Sequence, residues 1–173
     1  MTMQAITHWE DGPADLPDGL RVHYEAVRRF SLYLCAPLEL EDFVVQSMPS
    51  ASPVKWHLAH TSWFFERFVL CEVLEGYEVF EQAYHYLFNS YYQSVGAQFA
   101  RAQRGLLSRP GVEETMRYRA HVDRGMDEVF ERLGAGRMGE AERLRVRALI
   151  VLGLQHEQQH QELILTDIKH AFF

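Results

Sequence analysis

Apolar residues recur at helical spacing along most of this chain, and four segments sustain the repeat long enough to predict helices. Leu20, Tyr24, Val27, Phe30 and Leu34 form one stripe, which predicts a helix from about Asp18 to Leu34, with Pro37 just beyond its end. Ser52-Pro53 reads as an N-cap residue followed by proline at the first helical position, opening a second helix that runs to about Leu74. Val112, Met116, Val122, Met126, Val129 and Leu133 predict a third helix over Val112–Leu133, stopped by Gly134-Ala135-Gly136. The fourth and longest spans roughly Gly139–Ala171, with Leu149, Leu152, His156, His160 and Leu163 along the stripe expected to face the core.

The second helix differs from the others in carrying no full charge from Trp56 to Phe65. Helices that are apolar all round are buried on more than one side, so this one suggests a surface that meets a further domain or a second copy of the chain. Between helices two and three lies a long aromatic connection, Glu75–Gly111. Structureless connections of that length are uncommon in compact domains and often functional, and a long crossover lets neighbouring helices run parallel. The expected fold is therefore all-α: a four-helix bundle, one domain over residues 1–173, with an elaborated crossover between helices 2 and 3.

Composition narrows the function. With 173 residues, 47% of them hydrophobic and 24% charged, the chain has ordinary globular proportions. A formal charge of −7 argues against a nucleic-acid partner, which needs a basic face. Arg101, Arg104 and Arg109 do gather locally and suit a small anionic substrate. The first residues lack the basic and apolar regions of a secretory signal, and the longest aliphatic stretch, near Ala148–Leu154, is too short for a bilayer. Cys35 and Cys71 read as two unpaired thiols in a reducing cytosol, so a cytoplasmic location is expected.

The candidate chemistry lies in the histidines. His156 and His160 stand four apart in the fourth helix, one turn above each other, where both imidazoles can reach one ion. Spacing alone decides little, since nine histidines in this chain give about half of one such pair by chance. The setting adds weight: two imidazoles on a core-facing stripe need partners, and a metal is one common solution. His60, in the least polar segment, supplies a third imidazole across the bundle, with His57 on roughly the same face as a competitor. Three protein ligands leave positions open for substrate. His8, His23, His85, His121 and His170 read as surface or packing residues, while Gln159, next to His160, is a candidate substrate or supporting contact.

The run His156-Glu157-Gln158-Gln159-His160 also fits the H-E-x-x-H pattern of zinc proteases, in which the glutamate is the general base. The extended form of that pattern places a glycine and a third histidine where Leu163 and Thr166 stand here, and only 13 residues follow His160. Proteolysis is the weaker reading.

Much longer blocks match another group. WHLAHTSWFFE (Trp56–Glu66), YLFNSYYQSVG (Tyr86–Gly96), RAQRGLLSRPG (Arg101–Gly111), YRAHVD (Tyr118–Asp123) and LGLQHEQQHQELILTDIKHAF (Leu152–Phe172) together resemble the ergothioneine biosynthesis sulfoxide synthases, whose N-terminal domain is DinB-like. The resemblance implies a mononuclear iron(II) site held by His60, His156 and His160. It implies dioxygen, hercynine and a thiol such as cysteine or γ-glutamylcysteine as substrates, with Gln159 touching hercynine and Arg101 and Arg104 holding the thiol's carboxylates. Imidazole also suits zinc and nickel, so the metal's identity rests on the resemblance.

Members of that family continue into a second domain resembling sulfatase modifiers, which carries a catalytic tyrosine; this chain stops at Phe173. It is expected to be the metal-binding part, incomplete alone, completed by that domain or by a homo-oligomer. Two alternatives are a stand-alone DinB-like protein acting in thiol transfer with zinc or another divalent ion, and a metal-stabilised interaction module without activity.

Overall fold

A computed structural model of the protein describes residues 17–90 and 96–173. Four long helices dominate it: α1 (Pro17–Cys35), α2 (Val54–Phe65), α3 (Val112–Gly134) and α4 (Glu140–Phe172). Helix α2 continues through a π-helical turn, Glu66–Leu70, and a last α turn, Cys71–Val73. Short 3-10 turns at Asp42–Val44 and Arg101–Leu106, and one helical turn at Tyr84–Leu87, punctuate the connections. Among the described residues there is no strand, and no helix is long and apolar enough to cross a membrane. The all-α bundle expected from periodicity is the fold.

Cross-links give the helix directions. Arg21 reaches Asp127 and Arg28 reaches Asp123, so α1 and α3 are antiparallel. Arg119 bonds the Leu58 carbonyl, and Tyr118 bonds Glu66 at the π-helical turn following α2. Further along, Gly125 packs beside Leu70, so α2 and α3 run parallel. His57 meets Asp167, whereas Phe65 lies against Gly153, which makes α2 and α4 antiparallel. Parallel neighbours cannot be joined by a tight turn, and this is why the 75–111 crossover exists. Lys55 clamps it, donating from Nζ to the carbonyls of Leu107 (2.6 Å) and Pro110 (2.9 Å). The α3–α4 turn, by contrast, is short, and Gly136 supplies its left-handed residue (φ 63°).

Helix α2 is the central element. All twelve of its residues are buried, packed by α3, α4 and the crossover of this same chain. Its charge-free character is therefore explained by its own bundle, which corrects the expectation that it offers a surface to a partner. Ser52 does not cap it either. Pro53 is the N-cap residue, while Ser52 donates its N–H to Asp167 Oδ2 (2.9 Å) and accepts from Arg104 at its hydroxyl (2.9 Å).

Two other stripes turn from their expected faces. In α1 the buried positions after Tyr24 and Val27 are Arg28, Ser31 and Cys35, and Phe30 is about half exposed (47%). In α4 the core line is Val146, Ile150, Leu154, Glu157, Gln161 and Ile164, whereas Leu152 lies 52% exposed. The cause is close packing at Gly153: a Cβ there would sit 2.5 Å from Phe65 Cε1, so only glycine lets α4 approach α2 on this face. His156 and His160 consequently stand at the edge of the core line, facing α2.

Candidate metal centre

His60 leaves the middle of α2 between two indoles. Trp56, one turn earlier, stacks on its ring at 4.6 Å and 14°, and Trp63, one turn later, at 5.6 Å and 15°. Its Nδ1 faces the Phe88 carbonyl at 2.5 Å. A carbonyl only accepts, so Nδ1 carries the proton and Nε2 keeps a lone pair. That Nε2 lies 3.1 Å from Nε2 of His156 on α4. Ligand atoms of His60, His156 and His160 all lie within 4.8 Å of one another, so the three can hold one metal ion. Metal–nitrogen bonds of about 2.0–2.1 Å at angles of roughly 90–110° put two donors about 2.8–3.4 Å apart, which the His60–His156 separation meets.

His57, the competing residue, is turned elsewhere. Its Nδ1 faces His160 Nδ1 at 2.8 Å and its Nε2 faces Asp167 Oδ2 at 3.0 Å, with His57 itself buried. His156 has no comparable support: its buried Nδ1 has no hydrogen-bond partner.

The pocket favours neutral imidazoles. Burial lowers the pKa of His60, with the neighbouring His156 adding to the effect. Burial likewise takes His156 down to about 4 and depresses His160, the latter helped by His60 and His57. Neutral imidazole is the form that ligates a metal.

Glu157, next to His156 in sequence, points away from this cluster. Its Oε2 accepts from Arg28 Nη1 (3.0 Å), and its Oε1 accepts from Ser31 Oγ (2.7 Å) and Arg119 Nη2 (3.1 Å). Burial opposes its charge, but Arg28 and Arg119 prevail and hold the carboxyl down at about 2. A carboxylate fixed by two guanidinium groups is a poor proton acceptor, so the protease reading of H-E-x-x-H loses its general base. The three-histidine set also stays free of carboxylate.

The other candidate residues are not gathered equally. Gln159 is exposed on α4 beside His160. Arg104 is buried: it donates to Ser52 Oγ (2.9 Å) and Ser90 Oγ (3.0 Å) and lays its guanidinium 3.3 Å from the centre of the Trp56 ring. Arg101 is half-buried, and its charge acts on both His57 and Asp167. Arg109 is exposed. His121 bonds the Glu78 carbonyl and His170 bonds Ser47, both as packing or surface residues. His8, and the Tyr91–Val95 part of the crossover block, lie outside the described residues. Cys35 and Cys71 form no disulfide, and burial pushes the Cys35 thiol up to about 11.

Sequence reasoning missed the pairing of Asp167 with His57 and that of Glu157 with Arg28 and Arg119. A clue to the second exists: Arg28 and Ser31 occupy positions in helical register with Tyr24 and Cys35, as Glu157 does with Ile150, Leu154 and Ile164. Polar residues on core positions of two helices imply a buried network.

An all-α bundle with three imidazoles converging between two central helices defines a helical bundle able to hold a metal ion. The DinB superfamily profile matches residues 23–164, and the chain belongs to that superfamily. Comparison with curated proteins gave no match.

Proposed function

We propose that this chain is the metal-holding part of an iron(II)- and dioxygen-dependent sulfoxide synthase that joins the sulfur of a cysteine-type thiol, cysteine or γ-glutamylcysteine, to hercynine. The observation that carries the reading is the composition of the site: three histidines with no carboxylate among them, because Glu157 is bound to Arg28 and Arg119. A neutral donor set leaves the charge of a divalent ion uncompensated and favours an anionic thiolate. The ordered blocks resembling the synthases supply the remaining support.

In this reading His60, His156 and His160 hold the ion, which would supply a binding position for thiolate and a redox-active centre through which the two substrates reduce dioxygen. Trp56 and Trp63 cover both faces of His60, keeping water from its ring and holding it in place. Gln159, on the exposed side of α4, contacts hercynine. Arg101 holds a carboxylate of the thiol, and Arg104, committed to Ser52, Ser90 and Trp56, adds positive charge behind it.

Imidazole binds zinc and nickel as readily as iron, which keeps thiol transfer in a stand-alone bundle as a second reading. Metal content after anaerobic purification, compared between the native chain and His60→Ala, separates the two. One iron per chain, lost in the variant, agrees with the synthase. Zinc or nickel lost in the same variant favours thiol transfer, and absence of any bound metal overturns both. Oxygen uptake that requires both hercynine and a thiol then tests the reaction itself.

A further inference from the structure

A histidine ligates a metal through one unprotonated ring nitrogen, and a neutral imidazole can put its proton on either. For His60 the Phe88 carbonyl decides this. For His160 the decision comes through two further residues. Asp167 stands two turns beyond His160 on α4, and its Oδ2 accepts the backbone N–H of Ser52 at 2.9 Å. The same oxygen lies 3.0 Å from His57 Nε2. A carboxylate accepts, so His57 carries its proton on Nε2 and turns a bare Nδ1 towards His160. Nδ1 of His160, at 2.8 Å, then has to be the donor. That leaves Nε2 of His160 unprotonated, on a ring whose centre lies 4.7 Å from those of both His60 and His156.

We propose that Asp167 and His57 are positioning residues, a carboxylate–imidazole relay that fixes the ring and the proton of His160 so that its Nε2 is presented to the metal. This rests on the reading of His60, His156 and His160 as metal ligands. The relay is built from three separate elements: the Ser52 turn, α2 and α4. Its members are buried, with His57 1% and Asp167 8% exposed, so water does not offer His160 Nδ1 an equivalent partner. His156 shows what its absence looks like, a buried Nδ1 with nothing to bond. Supporting partners of this kind commonly alter metal affinity by about 10–100-fold.

The test uses the full chain and two measurements. Long-range proton–nitrogen NMR on metal-free protein reads which ring nitrogen of His160 is protonated, and titration with zinc reads affinity. Native protein is expected to show His160 protonated at Nδ1 alone. His57→Phe removes the acceptor and is expected to give a mixture of tautomers, with zinc binding weakened by about 10–100-fold. His57→Gln, whose amide oxygen can accept from His160 while its amide N–H donates to Asp167, is expected to restore both. Asp167→Leu, near the end of α4, frees the His57 proton and is expected to resemble His57→Phe. A His160 tautomer that is mixed in native protein, or unchanged in His57→Phe and Asp167→Leu, overturns the relay whatever the metal does. An intact Nδ1–H tautomer in native protein that binds no zinc, iron or nickel overturns the metal reading while leaving the lock in place.

Discussion

Arg28 Nη1 donates to Glu157 Oε2 at 3.0 Å in the centre of the bundle, with the two side chains only 5% and 1% exposed. Arg119 bonds the other carboxylate oxygen, so one carboxylate ties α1, α3 and α4 together. Removing one member of a buried charge network leaves its partners uncompensated, typically at about 3–5 kcal/mol. Glu157→Gln is expected to lose stability of that order, seen as a lower urea midpoint with the slope unchanged. The three clustered histidines are not replaced by this substitution, so a residual folded fraction is expected to bind metal as the native chain does.

The same pair makes stability pH-dependent. The Glu157 carboxyl is held at about 2 in the folded chain, below the ordinary 4.5. A depressed carboxylate pKa means the folded state binds fewer protons, so its contribution is fully present above about 4.5 and disappears as pH falls through about 2. Native protein is expected to lose stability across that window, and Glu157→Gln to show a shallower acid limb by circular dichroism.

Gly153 sets how closely α4 approaches α2. An added Cβ meets Phe65 at 2.5 Å and 2.8 Å and Phe64 at 3.0 Å, contacts that rigid rings in a close-packed core cannot absorb without moving a helix. Alanine gains about 0.5–1 kcal/mol of helix propensity, but overpacking costs about 1–3 kcal/mol. Gly153→Ala is expected to be net destabilising in thermal melts. Because Gly153 lies one turn from His156, it is also expected to weaken metal binding.

A ligand that binds only the folded chain raises its stability, by about 2.7 kcal/mol at a free concentration a hundred times its Kd. Metal is therefore expected to raise the melting temperature of native protein by several degrees, and a chelator to reverse the gain. His60→Ala is expected to melt at one temperature with or without metal.

Arg104 is held by two serine hydroxyls and the face of Trp56, a geometry that depends on its flat fork. Arg104→Lys keeps the charge and loses the fork, so it is expected to destabilise nearly as much as Arg104→Ala, by about 1–3 kcal/mol. Equal urea midpoints for Arg104→Lys and native protein would contradict this.

Helix periodicity is local, and for that reason four helices, the long crossover and the placement of His60, His156 and His160 on two of them could be read from the chain alone. The burial of α2 was legible too, as a run without charge, although its cover is the chain's own and not a partner's. Which face of α4 turns inward was not legible. Leu152 and Leu154 are equally apolar, and the choice falls to Gly153 meeting Phe64 and Phe65 from a distant helix. Spacing likewise cannot tell His57 from His60, three residues apart on one helix. Phe88 and Asp167, both far away in sequence, give the two rings opposite tasks. The run His156–His160 is the same whether its glutamate faces an ion or a pair of arginines. Local patterning thus determined the helices and set His156 and His160 one turn apart on one of them. Only packing between helices decided which nitrogens converge and which carboxylate is withheld, because burial and hydrogen bonding depend on partners that lie far away in the chain.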